Sequence, residues 1–149
     1  MTFCVAIKSK TGVVALSDTR ISSGLGVSTS KKIKTYQENG NSFFIMSSGL
    51  RSIRDKVINL FEEELANVPC NKLFKVANLV GNAVKQARAE DLEQLQQSKF
   101  FFDGHFIVGG QCANDKRSTI FLVFPEGNWV EASDESPYTI IGNTGFGKS

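Results

Sequence analysis

Residues spread over the first third of the chain carry groups suited to nucleophilic catalysis. Thr2 directly follows the initiating methionine, so removal of Met1 would leave a hydroxyl and an α-amine on one residue. An α-amine has a pKa of about 7.7–8.0, is partly neutral at physiological pH and can accept the hydroxyl proton. A lysine close by disfavours a protonated amine and favours an ionised hydroxyl, and an aspartate can hold that lysine in place. Lys32 and Asp18 are the candidates for this pair.

A hairpin predicted near the N-terminus brings Asp18 towards Thr2. The segments TFCVAIKS and VVALSD are rich in apolar and β-branched residues, and the intervening KTG is typical of a tight turn. If the turn is centred at residues 10–11, paired residues have numbers that sum to about 21. Thr2 and Phe3 then lie beside Thr19 and Asp18.

A second predicted hairpin positions the lysine. The segments KKIKTY and SFFIMSS flank ENGN, whose Asn-Gly pair supplies the positive φ angles of a hairpin turn. This turn places Lys32 beside Ser47, and Gly49 follows at the start of a helix, where its N–H can stabilise an oxyanion. The segment TRISSGLGVSTS, interpreted as a loop, joins the open ends of the two hairpins. Thr2, Asp18, Lys32 and Gly49 are therefore expected on one sheet edge.

The remainder of the chain predicts two helices and then further strands. Apolar residues recur at helical spacing in two stripes: Leu50, Ile53, Val57, Leu60, Phe61 and Leu65, and then Leu73, Val76, Ala77, Val80, Val84 and Ala87. The first helix is expected to end near NVPCN and the second near Ser98. Strands are predicted at HFIVGGQ, STIFLVF, WVEAS and YTII. This order favours an α+β layered domain over alternating βαβ units.

Composition narrows the classes of function. The 149 residues fit a single domain. The 17 Lys+Arg and 15 Asp+Glu give a net charge of +2, and the basic residues are not clustered, so no nucleic-acid partner is expected. Three cysteines without metal-ligand spacing and a single histidine predict reduced, buried thiols and no metal site. Without a signal-like leader or an apolar run of about 18 residues, we expect a soluble cytoplasmic protein with no membrane partner.

The last eight residues, GNTGFGKS, match the phosphate-loop pattern. That mechanism needs a strand before the loop and a helix after it, so that backbone N–H groups can hold the phosphates. YTII could be the strand, but no residues remain for the helix. We interpret the match as accidental and expect no nucleotide cofactor; a nucleotide-binding fragment is the remote alternative.

The order and spacing of four short motifs resemble those of the β-type subunits of proteasomes. These motifs are Thr2, VVALSDTR, KKI and SSG. The N-terminal twenty residues look most like the bacterial Anbu, or ancestral β-subunit, group. The resemblance implies an N-terminal nucleophile hydrolase with a four-layer αββα sandwich, which cleaves peptide bonds without metal or nucleotide. It assigns Thr2 as nucleophile and base, Asp18 and Lys32 as the activating pair, and Gly49 as the oxyanion donor.

The same resemblance suggests substrate-binding residues. Ile21, Ser47 and Arg51 fall where the family lines its first specificity pocket, while Arg20 and Asn143 fall at supporting positions. The loop before the lysine is about two residues shorter than is usual in the family, so Lys31 is the fallback for Lys32.

The resemblance also sets expectations for the domain and its partners. Residues 1–149 would form a single proteasome-β-like domain that is truncated at its C-terminus, since the family continues beyond this point. Expected partners are a peptide or unfolded-protein substrate and further copies in a homo-oligomeric ring or spiral, with an ATP-dependent unfoldase left open. An amidase, or a catalytically idle ring subunit of the same fold, is the main alternative function.

Overall fold

The structure is a computed structural model that describes residues 3–18, 20–23, 26–29 and 32–142, with backbone only for 20–23 and 26–29. The elements in chain order are β1 (Phe3–Lys8), β2 (Val13–Ser17), β3 (Arg20–Ser23), β4 (Gly26–Thr29), β5 (Ile33–Glu38), β6 (Asn41–Ser48), α1 (Arg51–Asn67), α2 (Leu73–Gln97), β7 (His105–Gln111), β8 (Thr119–Val123), β9 (Trp129–Glu131) and β10 (Tyr138–Gly142).

Both predicted hairpins are confirmed in their register. Cys4 of β1 pairs with Ser17 of β2, as the turn centred at residues 10–11 requires. In the second hairpin β5 and β6 are joined by Asn39 and Gly40, whose φ angles of 54° and 83° are those expected of an Asn-Gly turn.

A five-stranded antiparallel sheet in the order β5-β6-β7-β8-β9 carries the two helices on one face. The apolar stripes predicted for α1 and α2 are buried against this sheet, because helical spacing puts them on one side of each helix. The main core contains Ile53, Val57 and Phe61 of α1 together with Phe106 and Phe121 of the sheet. Both predicted helices are therefore confirmed, with α2 ending one residue before Ser98.

The other face of this sheet packs against a three-stranded sheet in the order β10-β1-β2. The core between the sheets is small, and its buried members come from both sheets: Cys4, Ala6, Met46, Ile107, Ile120 and Ile141. The layers run helices, sheet, sheet, which agrees with the predicted α+β class and αββα sandwich. The described residues thus form one helical layer and both sheets.

The outer face of the three-stranded sheet carries exposed apolar side chains. Side chains alternate across a strand, so residues next to the buried Cys4 and Ala6 point away from the inter-sheet core. The exposed large apolar residues of this sheet are Ile7, Val14, Leu16 and Tyr138.

The sequence interpretation was wrong for the connection between the hairpins. TRISSGLGVSTS was interpreted as a loop, but it contains a two-stranded antiparallel ribbon of β3 and β4, in which Arg20 pairs with Thr29. Strands of four residues are too short for alternation to identify them against a background of Ser and Gly. The ribbon lies between the two residues of the candidate charge pair in sequence.

The three cysteines, Cys4, Cys70 and Cys112, are buried and free, as predicted. Among the residues that the structure describes, neither helix is long and apolar enough to cross a membrane.

Candidate active site

The ends of β2 and β5 bring together a partly buried ion pair. Asp18 directly follows β2 and Lys32 directly precedes β5. The Lys32 Nζ donates a hydrogen bond of 2.7 Å to Oδ1 of Asp18. The side chain of Lys32 is 4% exposed and that of Asp18 is 37% exposed, so the cation is the more deeply enclosed partner. The predicted approach of these two residues is confirmed.

Asp18 is also tied to the beginning of β1. Its backbone N–H donates to the carbonyl of Phe3 at 3.1 Å, and the Phe3 N–H donates to Oδ1 of Asp18 at 3.4 Å. Phe3 immediately follows Thr2 in the sequence. The Asp18 carboxylate therefore contacts Phe3, the residue that follows the predicted nucleophile. Thr2 itself is outside the described residues.

The ionisation of Asp18 is favoured by these contacts. Partial burial raises its pKa, but the hydrogen bonds from Lys32 and the Phe3 N–H, together with the charge of Lys32, hold the pKa below its ordinary value. The carboxylate is thus charged at neutral pH and keeps the ammonium group of Lys32 oriented.

Cys4 lies beside the ion pair and was not predicted to belong to this region. Its thiol donates a weak hydrogen bond of 3.8 Å to the carbonyl of Ser47. Burial raises the pKa of Cys4 to about 11, and the nearby charge of Lys32 only partly offsets this effect. The thiol is therefore protonated at neutral pH and acts as a small apolar side chain between the sheets.

Gly49 occupies the junction between β6 and α1 with a φ of +102°. This conformation favours glycine, and the surrounding space is also narrow. A Cβ built on Gly49 would lie 3.0 Å from Oδ1 of Asp103 and 3.1 Å from Cα of Gly104. The requirement for glycine here thus follows from both the backbone and the contact with the 103–104 corner.

A cleft of about 260 Å³ opens next to Lys32 and Ser47. Its walls come from β5, β6 and α1, and several of its side chains are charged. The lining residues are Lys32, Lys34, Ile45, Ser47, Arg54, Asp55, Ile58, Asn59 and Glu62. Lys34 and Glu62 form an ion pair across it, and the hydroxyl of Tyr36 donates to Glu62 at 3.3 Å. A polar wall of mixed charge is therefore available to a side chain that enters from the direction of Lys32.

The predicted substrate-binding residues have different surroundings. Ser47 is buried and lines the cleft. Arg51 begins α1, is exposed, and pairs with Asp55 at 3.4 Å. Arg20 and Ile21 lie on β3, where only the backbone is described.

Other predicted residues lie outside the described part of the chain. Asn143 and the fallback Lys31 belong to this group, and so does the phosphate-loop match after Gly142. Within the residues that the structure describes, no group of three or more His, Cys, Asp and Glu side chains is arranged to hold a metal ion.

Comparison with solved structures identifies close structural relatives. An Anbu Gly-1 mutant from Hyphomicrobium sp. strain MC1 superimposes with a TM-score of 0.85 at 31% identity, over 99% of this chain and 63% of the relative. The Pseudomonas aeruginosa Anbu complex, described as a helical assembly, gives 0.84 at 25% identity, over 98% and 63%. Anbu from Yersinia bercovieri, at 24% identity and 0.84, shares the fold over the same fractions.

The chain thus spans about 63% of the length of these relatives. A search of curated proteins finds no match. The family model of the proteasome subunit matches residues 2–146, which is nearly the whole chain. The chain therefore belongs to the proteasome subunit family.

Proposed function

We propose that the chain is a threonine peptidase, with Thr2 as an N-terminal nucleophile once Met1 is removed. The observation that carries this proposal is the buried Lys32 held by Asp18 at 2.7 Å, with Asp18 accepting a hydrogen bond from Phe3, the neighbour of Thr2. Nucleophilic hydroxyls need an adjacent base or a nearby cation; in this proposal Lys32 is the cation and the α-amine of Thr2 is the base.

In the proposed reaction the Thr2 hydroxyl attacks the carbonyl carbon of the scissile peptide bond. The free α-amine of Thr2 accepts the hydroxyl proton, while the charge of Lys32 favours the developing alkoxide. The negative oxygen of the tetrahedral intermediate accepts a hydrogen bond from the N–H of Gly49. The amine of the substrate then leaves with the proton, and water hydrolyses the remaining ester.

The cleft beside Lys32 is the proposed site for a substrate side chain. Ser47 and Lys32 line it beside the ion pair, whereas Lys34 and Glu62 line it further along β5 and α1. Ile21 and Arg51, suggested by family resemblance, are proposed to contribute at its rim, and Arg20 and Asn143 to support the nucleophile. The substrate class is a peptide or an unfolded protein segment, which presents an extended backbone to such a cleft.

We further propose that the protein is a homo-oligomer and is cytoplasmic. The helical assembly of the Pseudomonas aeruginosa relative supports a ring or spiral of like copies. Three free, buried thiols are typical of a reducing compartment.

Labelling of Thr2 provides the test. A peptide epoxyketone, which forms a ring with both the hydroxyl and the α-amine of an N-terminal threonine, should label the processed protein. Mass spectrometry should show that the labelled fraction equals the fraction without Met1, because an amide nitrogen has no basic lone pair. The variant Thr2→Ala should be unlabelled and inactive on fluorogenic peptides.

The variant Lys32→Met tests whether the lysine charge is needed for catalysis once Met1 has been removed. Methionine matches the length of the lysine stem, so the variant should retain processing and lose at least about 100-fold in peptidase rate. Turnover that survives both Thr2→Ala and Lys32→Met would exclude the threonine mechanism. Complete removal of Met1 without labelling or turnover would instead identify a catalytically idle subunit.

A further inference from the structure

The corner between α2 and β7 presents a charged and an aromatic side chain beside Gly49. Along residues 101–104 exposure alternates: Phe101 and Asp103 are exposed, whereas Phe102 and Gly104 are buried. Phe101 is 81% exposed, the highest value among the exposed large apolar residues of the described chain. Alternation of this kind puts Phe101 and Asp103 on the same, outward side of the segment.

This corner is held firmly against the candidate site. Phe102 packs in the main core, and a Cβ on Gly104 would lie 2.9 Å from Cγ2 of Ile53 in α1. The carbonyl of Asp103 lies 2.8 Å from Nδ1 of His105. His105 is the first residue of β7 and pairs with Ser48 of β6. The packing of Phe102 and Gly104 and the contact with His105 therefore position Asp103.

The Asp103 carboxylate faces Gly49 at close range. A Cβ on Gly49 would lie 3.0 Å from Oδ1 of Asp103. Since a backbone nitrogen lies about 2.5 Å from such a Cβ, the carboxylate oxygen is within about 5.5 Å of the Gly49 nitrogen. Within the part of the chain that the structure describes, the Asp103 carboxylate forms no ion pair.

We propose that Phe101 and Asp103 form a specificity site for a lysine or arginine side chain of the peptide substrate. The aliphatic stem of such a side chain packs on the exposed ring of Phe101, and its cationic head pairs with Asp103. This inference rests on the proposed peptidase function, because it assigns Gly49 to the place where the scissile carbonyl docks.

The electrostatics of the reaction favour the same substrate. A carboxylate within about 5.5 Å of Gly49 opposes the negative charge that develops on the substrate carbonyl oxygen. A cationic substrate side chain at Asp103 neutralises that opposing charge. At an exposed site, a cation about 4 Å from a carboxylate is favoured over a neutral group by about fivefold in water.

Peptide binding to the inactive variant Thr2→Ala tests the proposal without turnover. The probes are acetylated hexapeptides of alanine that carry one Lys, Gln or Glu, with the substituted position scanned, and the measurement is the dissociation constant by calorimetry at low salt. We expect one position where Lys binds about fivefold more tightly than Gln, and Glu more weakly than Gln. The preference should shrink at about 0.3 M salt, because the site is exposed.

Variants assign the preference to its residues. Asp103→Asn should abolish the preference for Lys over Gln, and Asp103→Lys should reverse the order of Lys and Glu. The matched control Asp134→Asn removes an exposed charge near Lys8, at the opposite end of β1 from Asp18, and should leave the preference unchanged. Phe101→Ala should weaken binding of the Lys peptide more than that of the Gln peptide.

The outcomes separate this inference from the proposed function. Peptides that are cleaved by the processed wild-type protein but show no charge preference would overturn the inference and leave the peptidase proposal intact. A preference lost in Asp103→Asn, without hydrolysis by the processed protein, would support binding of cationic peptide side chains at Phe101 and Asp103 and refute the peptidase. Absence of binding by every peptide in the set would overturn the inference, as would a preference that survives Asp103→Asn.

Discussion

Replacement of Asp18 by asparagine tests the charge pair at the centre of the candidate site. Asparagine keeps the size of the side chain and an oxygen that can accept the hydrogen bond from Phe3, but it removes the negative charge that faces Lys32. The side chain of Lys32 is only 4% exposed, so its ammonium group has little contact with water where it lies. The variant therefore removes the negative charge that Asp18 places against this enclosed cation.

The exposure of both partners sets the size of the effect. A hydrogen bond to a charged group contributes about 1.5–3 kcal/mol, and loss of one partner from a fully buried pair costs about 3–5 kcal/mol. The Asp18 side chain is 37% exposed, so solvent screens the interaction and the lower range applies. We expect Asp18→Asn to reduce the free energy of unfolding by about 1–2 kcal/mol at neutral pH.

Urea unfolding followed by far-UV circular dichroism measures this difference. The matched control is Asp134→Asn, because Asp134 is 75% exposed and its ion pairs with Lys8 and Arg117 are long, at 3.7 and 3.9 Å. The control should change the free energy of unfolding by less than about 0.5 kcal/mol. Equal effects of the two substitutions would refute the argument that enclosure of Lys32 makes the Asp18 pair important.

The pH dependence provides a second check on the same pair. The pKa of Asp18 is lowered in the folded state from its ordinary value of 3.8. Its contribution to stability is therefore fully present above that value and is lost as the pH falls through the lower, folded pKa. The wild-type protein should exceed Asp18→Asn in stability by a constant amount between about pH 5 and 8, and the gap should close below about pH 4. A gap of unchanged size at pH 3 would contradict the assignment.

Three further predictions concern other parts of the fold. Gly49→Ala should lower the free energy of unfolding, measured by urea titration, by about 1–3 kcal/mol. The φ of Gly49 is +102°, and an added Cβ would crowd Asp103. An unchanged free energy would show that the junction relaxes. Leu16→Lys should weaken self-association in sedimentation velocity, because Leu16 is 64% exposed on an apolar sheet face; a wild-type chain that stays monomeric would contradict this. Burial raises the pKa of Cys4 to about 11 and that of Cys112 to about 12. Both thiols should therefore resist alkylation by iodoacetamide at pH 8 until the protein unfolds. Rapid labelling of the native protein would refute that account.

The register of the hairpins was predictable because short turns leave little freedom. An Asn-Gly pair at residues 39–40 fixes the turn, and the turn fixes which residues face each other along β5 and β6. The amino-acid pattern alone is therefore enough to place Lys32 opposite Ser47. The approach of Lys32 to Asp18 then followed from the two open hairpin ends and the family resemblance.

Contacts made between distant segments were not predictable in the same way. The 103–104 corner reaches Gly49 only because α2, packed on the sheet, returns the chain to the beginning of α1. No periodicity in the sequence marks Asp103, and nothing local distinguishes Cys4 from its strand neighbours. The β3–β4 ribbon was missed for a different reason, since four-residue strands carry too few positions for a pattern.

The two members of the charge pair belong to different sheets, and this explains why the inter-sheet core matters to the site. Asp18 follows a strand of the three-stranded sheet, while Lys32 precedes a strand of the five-stranded sheet. Their 2.7 Å contact is set by how closely the sheets approach, which depends on small, fully buried residues such as Cys4 and Ala6. A larger side chain at Cys4 would press the sheets apart beside the pair, because packed cores do not absorb an extra methylene without movement. The size of an inert thiol is therefore coupled to the distance between the carboxylate and the ammonium group.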